Sequence, residues 1–268
     1  MTALASLSRA AAAIGDLVLP RVCAACDHSI GLDERDLCAA CAAELTAVID
    51  VPYCRHCGES RGAYLLHDAR CTRCVTGLTR GRFHSFVRVG TYAGPLKALI
   101  LRFKRSFTMD HFLGSLLAKS IQGAMSPPAI DCWTPIPSHW TRKWQLGYQP
   151  TALLARSAVA HFGGVVEALL VMRKEVRPFH ERSGVTAAQR AKEIEDAMMI
   201  GRGSRIAGRH ICLVDDVMTT GATLREAAKA LKSAGAASVS AAVLARAGQG
   251  EPVVMSPSAG VDRQEGNA

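Results

Sequence analysis

Four Cys-x-x-Cys pairs constrain this chain more than anything else in it: Cys23/Cys26, Cys38/Cys41, Cys54/Cys57 and Cys71/Cys74, all within the first third of 268 residues. A Cys-x-x-Cys turn aims two sulfurs at one point, and zinc takes four ligands tetrahedrally, so two such turns close one structural site. Consecutive pairs predict two zinc ribbons, Cys23, Cys26, Cys38 and Cys41 in the first and Cys54, Cys57, Cys71 and Cys74 in the second. Spacing alone leaves an interleaved pairing open. The segment has few large apolar side chains, and a core that small needs a staple, which metal binding supplies as folding free energy. Disulfides are the competing framework, but cysteines this close in sequence bridge each other poorly, and no secretion signal stands ahead of them. Arg55, Arg70 and Arg73 lie among the ligands, where they can offset the surplus thiolate charge. His28, His56 and His67 are surplus to four complete pairs and read as surface residues. Cys132 and Cys212 sit in apolar stretches and read as inert buried thiols.

Beyond Thr76-Gly77-Leu78-Thr79-Arg80-Gly81 the pattern changes. Strand-like stretches at 83–92, 130–134, 168–172, 210–214 and 238–244 alternate with helical ones at 96–103, 112–125, 151–162 and 223–234. Such alternation predicts an α/β fold with a parallel sheet covered by helices on both faces. Residues 173–190 read as a polar loop running into a helix start. The expected division is an N-terminal amphipathic helix over 1–20, a double zinc ribbon over 21–80, the α/β domain over 81–246 and a disordered tail over 247–268. Apolar residues make up 49% and charged residues 21%, which excludes a largely disordered chain. No stretch suits a membrane-spanning helix, and the expected location is the cytoplasm. The net charge of +9 is concentrated in residues 81–246, which carry 23 Lys and Arg against 11 Asp and Glu. Phosphate-rich ligands or nucleic acid are the natural partners of such a field.

The most specific segment is Ile211-Cys212-Leu213-Val214-Asp215-Asp216-Val217-Met218-Thr219-Thr220-Gly221-Ala222-Thr223. Four apolar residues make a buried strand, two carboxylates end it, and a bend of small residues opens a helix. A helix N-terminus offers unpaired N–H groups and a positive dipole end to a phosphate. Gly221 lets the backbone approach it, and the hydroxyls of Thr219, Thr220 and Thr223 can donate as well. Carboxylates at the end of a strand can accept bonds from two vicinal hydroxyls, or hold Mg²⁺ through water.

These thirteen residues resemble the phosphoribosyl-pyrophosphate (PRPP) motif of type I phosphoribosyltransferases. The resemblance implies that Thr219, Thr220, Gly221, Ala222 and Thr223 cradle the 5′-phosphate, that Asp215 and Asp216 hold the ribose hydroxyls, and that Mg²⁺ accompanies PRPP. With Tyr92-Ala93-Gly94-Pro95-Leu96-Lys97 through Lys104, the Pro135-Ile136-Pro137 turn and Leu244-Ala245-Arg246, the chain resembles the ComF family, which joins a double zinc ribbon to a phosphoribosyltransferase-like domain. That family is associated with natural transformation, so DNA-uptake proteins and single-stranded DNA are implied partners, and an oligomer is left open. The family's Arg-Gly-Phe-Asn-Gln run is replaced here by Leu146-Gly147-Tyr148-Gln149-Pro150. Its downstream Gln and Arg-x-x-Asn are approached only by His180 and by Arg190 with Glu193. Ligand binding is therefore the firmer expectation and phosphoribosyl transfer to an acceptor the weaker one. Transfer would need pyrophosphate neutralised by Mg²⁺ and by the backbone near Pro137-Ser138, Arg142, Lys143, Lys174, Arg177 and Arg182. His180 is a base by type. The alternative is a module that senses PRPP or binds single strands, with Trp133, Trp140, Trp144 and Tyr148 as stacking surfaces, though the same aromatics suit a core equally well.

Overall fold

A computed structural model describes residues 21–31, 34–62, 66–76, 83–124, 130–137, 148–172 and 198–248. The expected 1–20 helix, the tail beyond 248 and the charged 173–190 loop lie outside these residues. So do Ser138, Trp140, Arg142, Lys143, Trp144, Lys174, Arg177, His180, Arg182, Arg190 and Glu193.

The Val- and Ala-rich runs pair into a parallel sheet in the order β3 (Phe86–Thr91), β9 (Ser238–Arg246), β8 (His210–Met218), β4 (Cys132–Pro135) and β5 (Val165–Val166). Strands buried on both faces need apolar side chains at every position, and β9 and most of β8 meet that demand. Alternate residues feed two cores. Cys212, Val214, Ala242 and Leu244 face one, with Trp133. Ile211, Leu213, Ala241 and Val243 face the other.

Three helices cover the first face: α3 (Gly94–Phe103), α4 (Asp110–Ala124) and α5 (Pro150–Phe162). They contribute Leu96, Leu99, Ile100, Phe103, Leu113, Leu117 and Leu154. The second face is covered by α6 (Ala222–Ser233), through Leu224, Ala227, Ala228 and Leu231, and by an antiparallel ribbon of β6 (Leu170–Met172) and β7 (Met198–Ile200). The run at 168–172 was expected as a buried strand. It forms β6, outside the parallel sheet, and of its three residues only Leu170 is buried. The sheet's outer strand is β5, two valines just past the left-handed Gly163 and Gly164, too short a run to carry a period. Trp133, which suited a stacking surface and a core equally, is fully buried and donates its Nε1–H to the Gly163 carbonyl. Tyr148 donates its hydroxyl to the Phe103 carbonyl.

The cysteine segment repeats one plan. Each first knuckle turns back on itself, with Asp27 N–H on the Cys23 carbonyl and Gly58 N–H on the Cys54 carbonyl, and both Asp27 and Gly58 are left-handed. A β-bridge follows in each, Val22 with Ser29 and Tyr53 with Ser60. Each second knuckle opens a helix, α1 (Ala39–Ile49) after Cys38 and α2 (Thr72–Val75) after Cys71, with the small β1 (Leu66–His67)–β2 (Arg70–Cys71) hairpin before α2.

The ribbons dock on the sheet. Leu45 and Val48 of α1 enter the core beside α3. The second ribbon covers the open edge of β3: Phe86 N–H donates to the Arg55 carbonyl, and Arg88 N–H reaches the Tyr53 hydroxyl. All six β3 residues are buried as a result. Even Arg88 is only 2% exposed; it lies 4.7 Å from the Tyr53 ring and donates to the Gly58 and Val51 carbonyls. Burial pushes its pKa down to about 10. Gly58 lies flat on Phe86, and a Cβ there would stand 2.3 Å from a ring carbon, at φ +74°. Gly58→Ala is expected to cost about 1–3 kcal/mol, read as a lower denaturant midpoint with an unchanged m-value; an unchanged midpoint would show that the ribbon is not seated on the sheet.

Candidate functional site

β8 is the central strand, and its carboxyl end lies beside that of β4, where Ile136 N–H donates to the Val214 carbonyl. Ligands bind in such a crevice, outside the carboxyl ends of parallel strands. β8 runs further than the apolar residues predict. Asp215 and Asp216 lie within it, in register with Val243 and beyond, rather than ending it at Val214.

The two carboxylates are held differently. Asp215 Oδ1 accepts the backbone N–H of Asp216 at 2.9 Å. Asp216 Oδ1 pairs with Lys104 Nζ at 2.8 Å, both side chains less than a fifth exposed. Lys104 caps the C-terminus of α3, more than a hundred residues earlier. Sequence reasoning met it only at the end of the 92–104 stretch and missed its partner, because nothing local joins the two. Asp215 has its carboxyl pushed up from 3.8 to about 7, first by burial and then by the adjoining Asp216, against the pull of the Asp216 N–H and the Lys104 cation.

After Met218 the chain leaves the sheet. Thr219 and Thr220 are exposed. Gly221 is the N-cap of α6 at φ +72°, in the left-handed region that glycine adopts without strain. Arg225 N–H donates to the Gly221 carbonyl, and Ala222 N–H to Thr220 Oγ1 at 3.3 Å. The Arg225 guanidinium holds the Thr220 carbonyl at 2.6 Å. Among the described residues no hydrogen bond occupies the backbone N–H of Thr219, Thr220, Gly221 or Thr223. The bend thus offers donors, two exposed threonine hydroxyls and a helix N-terminus, with the carboxylate pair just before it, an arrangement suited to a phosphate on a polyhydroxylated carbon chain. Gln149 and Thr151, at the start of α5, brace the neighbouring β4 turn by donating to the Ile136 carbonyl.

The cysteines gather as consecutive pairs. Cys23, Cys26, Cys38 and Cys41 form one tetrad and Cys54, Cys57, Cys71 and Cys74 the other, each with its sulfurs within 4.8 Å of one another. Cys26 to Cys38 and Cys57 to Cys71 are both 3.8 Å. A tetrahedron with Zn–S of about 2.3 Å has edges of about 3.8 Å, so both sulfur sets fit a structural zinc. Within the second tetrad the Cys57 thiol donates to Cys54 and pulls the Cys54 pKa down to about 4, while Cys57 itself is pushed up. A bound dication removes that conflict by stabilising all four thiolates. His28 and His67 are exposed, and no histidine belongs to either tetrad. Arg55 was expected among the charge-balancing groups; its guanidinium instead caps α4, on the Gly123 and Ala124 carbonyls. Cys132 and Cys212 are fully buried, and burial raises both pKa values, that of Cys132 to about 11. No helix among the described residues is long and apolar enough to cross a membrane.

Comparison with known proteins agrees with this architecture. Residues 14–75 match the double zinc ribbon domain, and residues 149–265 match the phosphoribosyl transferase domain. Competence protein F of Haemophilus influenzae is 29% identical over 236 residues, covering 84% of this chain and 96% of that protein. DNA utilization protein YhgH is 27% identical over 235 residues both in Salmonella typhi and in Escherichia coli K12, covering 86% of this chain and 99% of the relative.

Two outcomes follow. Elemental analysis of the purified protein should find about two zinc ions per chain, and a folded protein free of metal would refute the tetrads. For Asp215, the unfolded chain loses its proton at about pH 4 and the folded chain near pH 7, so its contribution to stability falls as pH rises across that window and is level above it. Asp215→Asn, which cannot ionise, should therefore gain thermal stability over the wild type between pH 5 and pH 8, by about 2–4 °C for each kcal/mol relieved. Parallel melting curves at the two pH values would contradict the buried charge.

Proposed function

From the premise that this chain belongs to the ComF family, a double zinc ribbon joined to a phosphoribosyl transferase domain, we propose that it binds PRPP in the β8–α6 bend and serves in the handling of incoming DNA. The carrying observation is the sequence of groups along one short stretch: adjacent carboxylates at the carboxyl end of the central strand, then a left-handed glycine at a helix N-cap. The 5′-phosphate takes the N–H groups and hydroxyls of Thr219 to Thr223. The ribose 2- and 3-hydroxyls donate to Asp215 and Asp216. The role in DNA handling is supported by what the relatives are called, Competence protein F and DNA utilization protein.

Lys104 belongs to this reading. Two ionised carboxylates would repel a polyanionic ligand, and the lysine neutralises one of them in place. Asp216 would hold Mg²⁺ through water, and the ion would supply positive charge to the pyrophosphate. Were transfer to follow, the C1–O bond to pyrophosphate would break, an acceptor's lone pair would form the new bond at C1, and the acceptor's proton would pass to solvent or to a base. The chain's own residues bind and orient the sugar, and the charge of the departing pyrophosphate is met by the metal and the basic field of the domain. Of the aromatics in the stacking alternative, Trp133 lies wholly inside the core.

Calorimetric titration with PRPP and Mg²⁺ tests the site. Each Asp→Asn change at 215 or 216 removes a charged acceptor worth about 1.5–3 kcal/mol, so each should weaken binding about 10–100-fold. Lys104→Met should weaken it about tenfold, with Lys104→Arg recovering most of the loss. Unaltered affinity in Asp215→Asn and Asp216→Asn would refute the assignment.

A further inference from the structure

The second cysteine tetrad and the β8–α6 bend meet at a single side chain. Arg246 ends β9 in register with Met218, the last residue of β8. Its Nη1 donates to the Cys57 carbonyl and lies 3.6 Å from Met218 Sδ, while its Nη2 pairs with Glu59 Oε2 at 2.7 Å. The guanidinium is largely buried, at 14% exposure. Both of its ribbon partners belong to one knuckle: Cys57 is a tetrad member, and the Glu59 carbonyl accepts Cys54 N–H to close the turn. On the other side, Met218 is pinned by Ala247 N–H on its carbonyl, and its terminal methyl lies 2.3 Å from where a Cβ on Gly221 would stand. Contacts therefore run without a gap from thiolate knuckle to guanidinium to thioether to the glycine that opens α6.

We propose that Arg246 is a positioning residue for the bend, fixing Met218 and through it Gly221 against the second cysteine knuckle, so that loading of that tetrad and binding of the sugar phosphate reinforce each other. The inference rests on the reading of Thr219–Thr223 as the phosphate cradle. Glycine has the widest backbone freedom of any residue, and a bend built on it binds tightly only if something holds it in the binding conformation beforehand. The methyl of Met218 leaves Gly221 no room to collapse inward, and Arg246 fixes where that methyl sits. The planar fork of arginine suits this task, because its two ends can bond the knuckle carbonyl and Glu59 together while the thioether packs against one of them. Coupling of this kind is reciprocal: if the knuckle steadies the bend, ligand in the bend must steady the knuckle. The first tetrad has no such link to the bend among the described residues; it meets the domain through Ala24 in the core, through α1 and through Asp27 with Arg102.

The experiment uses the full chain loaded with zinc. Calorimetry with ribose 5-phosphate measures binding, and alkylation by N-ethylmaleimide with peptide mass mapping measures the exposure of each cysteine, with and without saturating ribose 5-phosphate. In the wild type the ligand should slow alkylation of Cys54, Cys57, Cys71 and Cys74 several-fold and leave Cys23, Cys26, Cys38 and Cys41 unchanged. Arg246→Met should bind about tenfold more weakly and lose the protection at saturation, and Arg246→Lys should recover most of both. Met218→Leu, which keeps the Arg246–Cys57 bond but removes the thioether, should also lose protection, which keeps the test available if Arg246→Met fails to retain metal. Protection spread evenly over both tetrads, protection absent in a wild type that binds, or an Arg246→Met protein that behaves as wild type would overturn the coupling alone. A wild type that gives no heat with either ribose 5-phosphate or PRPP overturns the phosphate cradle and the coupling together.

Discussion

Gathering eight thiolates into two tetrads is the constraint on which the rest depends. The cysteine segment buries almost no apolar core of its own: Cys23, Ile30 and Cys41 are the whole of its separate cluster. Metal–thiolate bonds fix its two knuckle-and-helix units instead. Once fixed, they close what the sheet leaves open. Strand β3 would be an exposed edge with unpaired N–H groups, and the second ribbon supplies acceptors for Phe86 and Arg88. A cation as deeply buried as Arg88 is tolerable because Tyr53 and two ribbon carbonyls surround it. The ribbons are thus a wall of the α/β domain, with Gly58 pressed against Phe86.

The site obeys the same economy of charge. Acidic side chains in the middle of a buried sheet are costly, and the fold meets the cost by two routes. Asp216 borrows the Lys104 cation from α3, while Asp215 keeps its proton to higher pH. One carboxylate is thereby offset by a neighbouring cation, and the other ionises only near neutral pH. The bend that follows offers backbone N–H groups and threonine hydroxyls. On the proposed reading, the carboxylates take hydroxyls and the N–H groups take phosphate, in the order in which a sugar phosphate presents them.

Much of this was legible in the residues. The four Cys-x-x-Cys pairs named all eight ligands, because ligand geometry depends on spacing that sequence records directly, while the structure decided that consecutive pairs, not interleaved ones, come together. The strand-bend-helix over 211–223 was legible for a similar reason, since a left-handed glycine and small neighbours leave few other conformations. Period-2 and period-3.6 patterns located β3, β4, β8, β9 and the four long helices of the α/β domain. What escaped were short or shared features. The two valines of β5 are too few for a pattern, and Leu170–Met172 reads as a buried strand although only β7, from beyond the 173–197 stretch, gives it a partner. The aromatic Trp133 looks equally suited to a surface and to a core until its neighbours are known.

The sequence by itself therefore determined the local chemistry: which sulfurs are paired in knuckles, which bend turns a strand into a helix, and which class of fold carries them. Those properties depend on residues a few positions apart. The tertiary structure alone decided the long-range partners: Lys104 on Asp216, the ribbon on the β3 edge, and Arg246 between the Cys57 knuckle and Met218. Each joins groups separated by about thirty to almost two hundred residues, and no periodicity or spacing rule reaches so far. Only the order of strands in the sheet, which brings β3, β9 and β8 side by side, puts those charges within bonding distance.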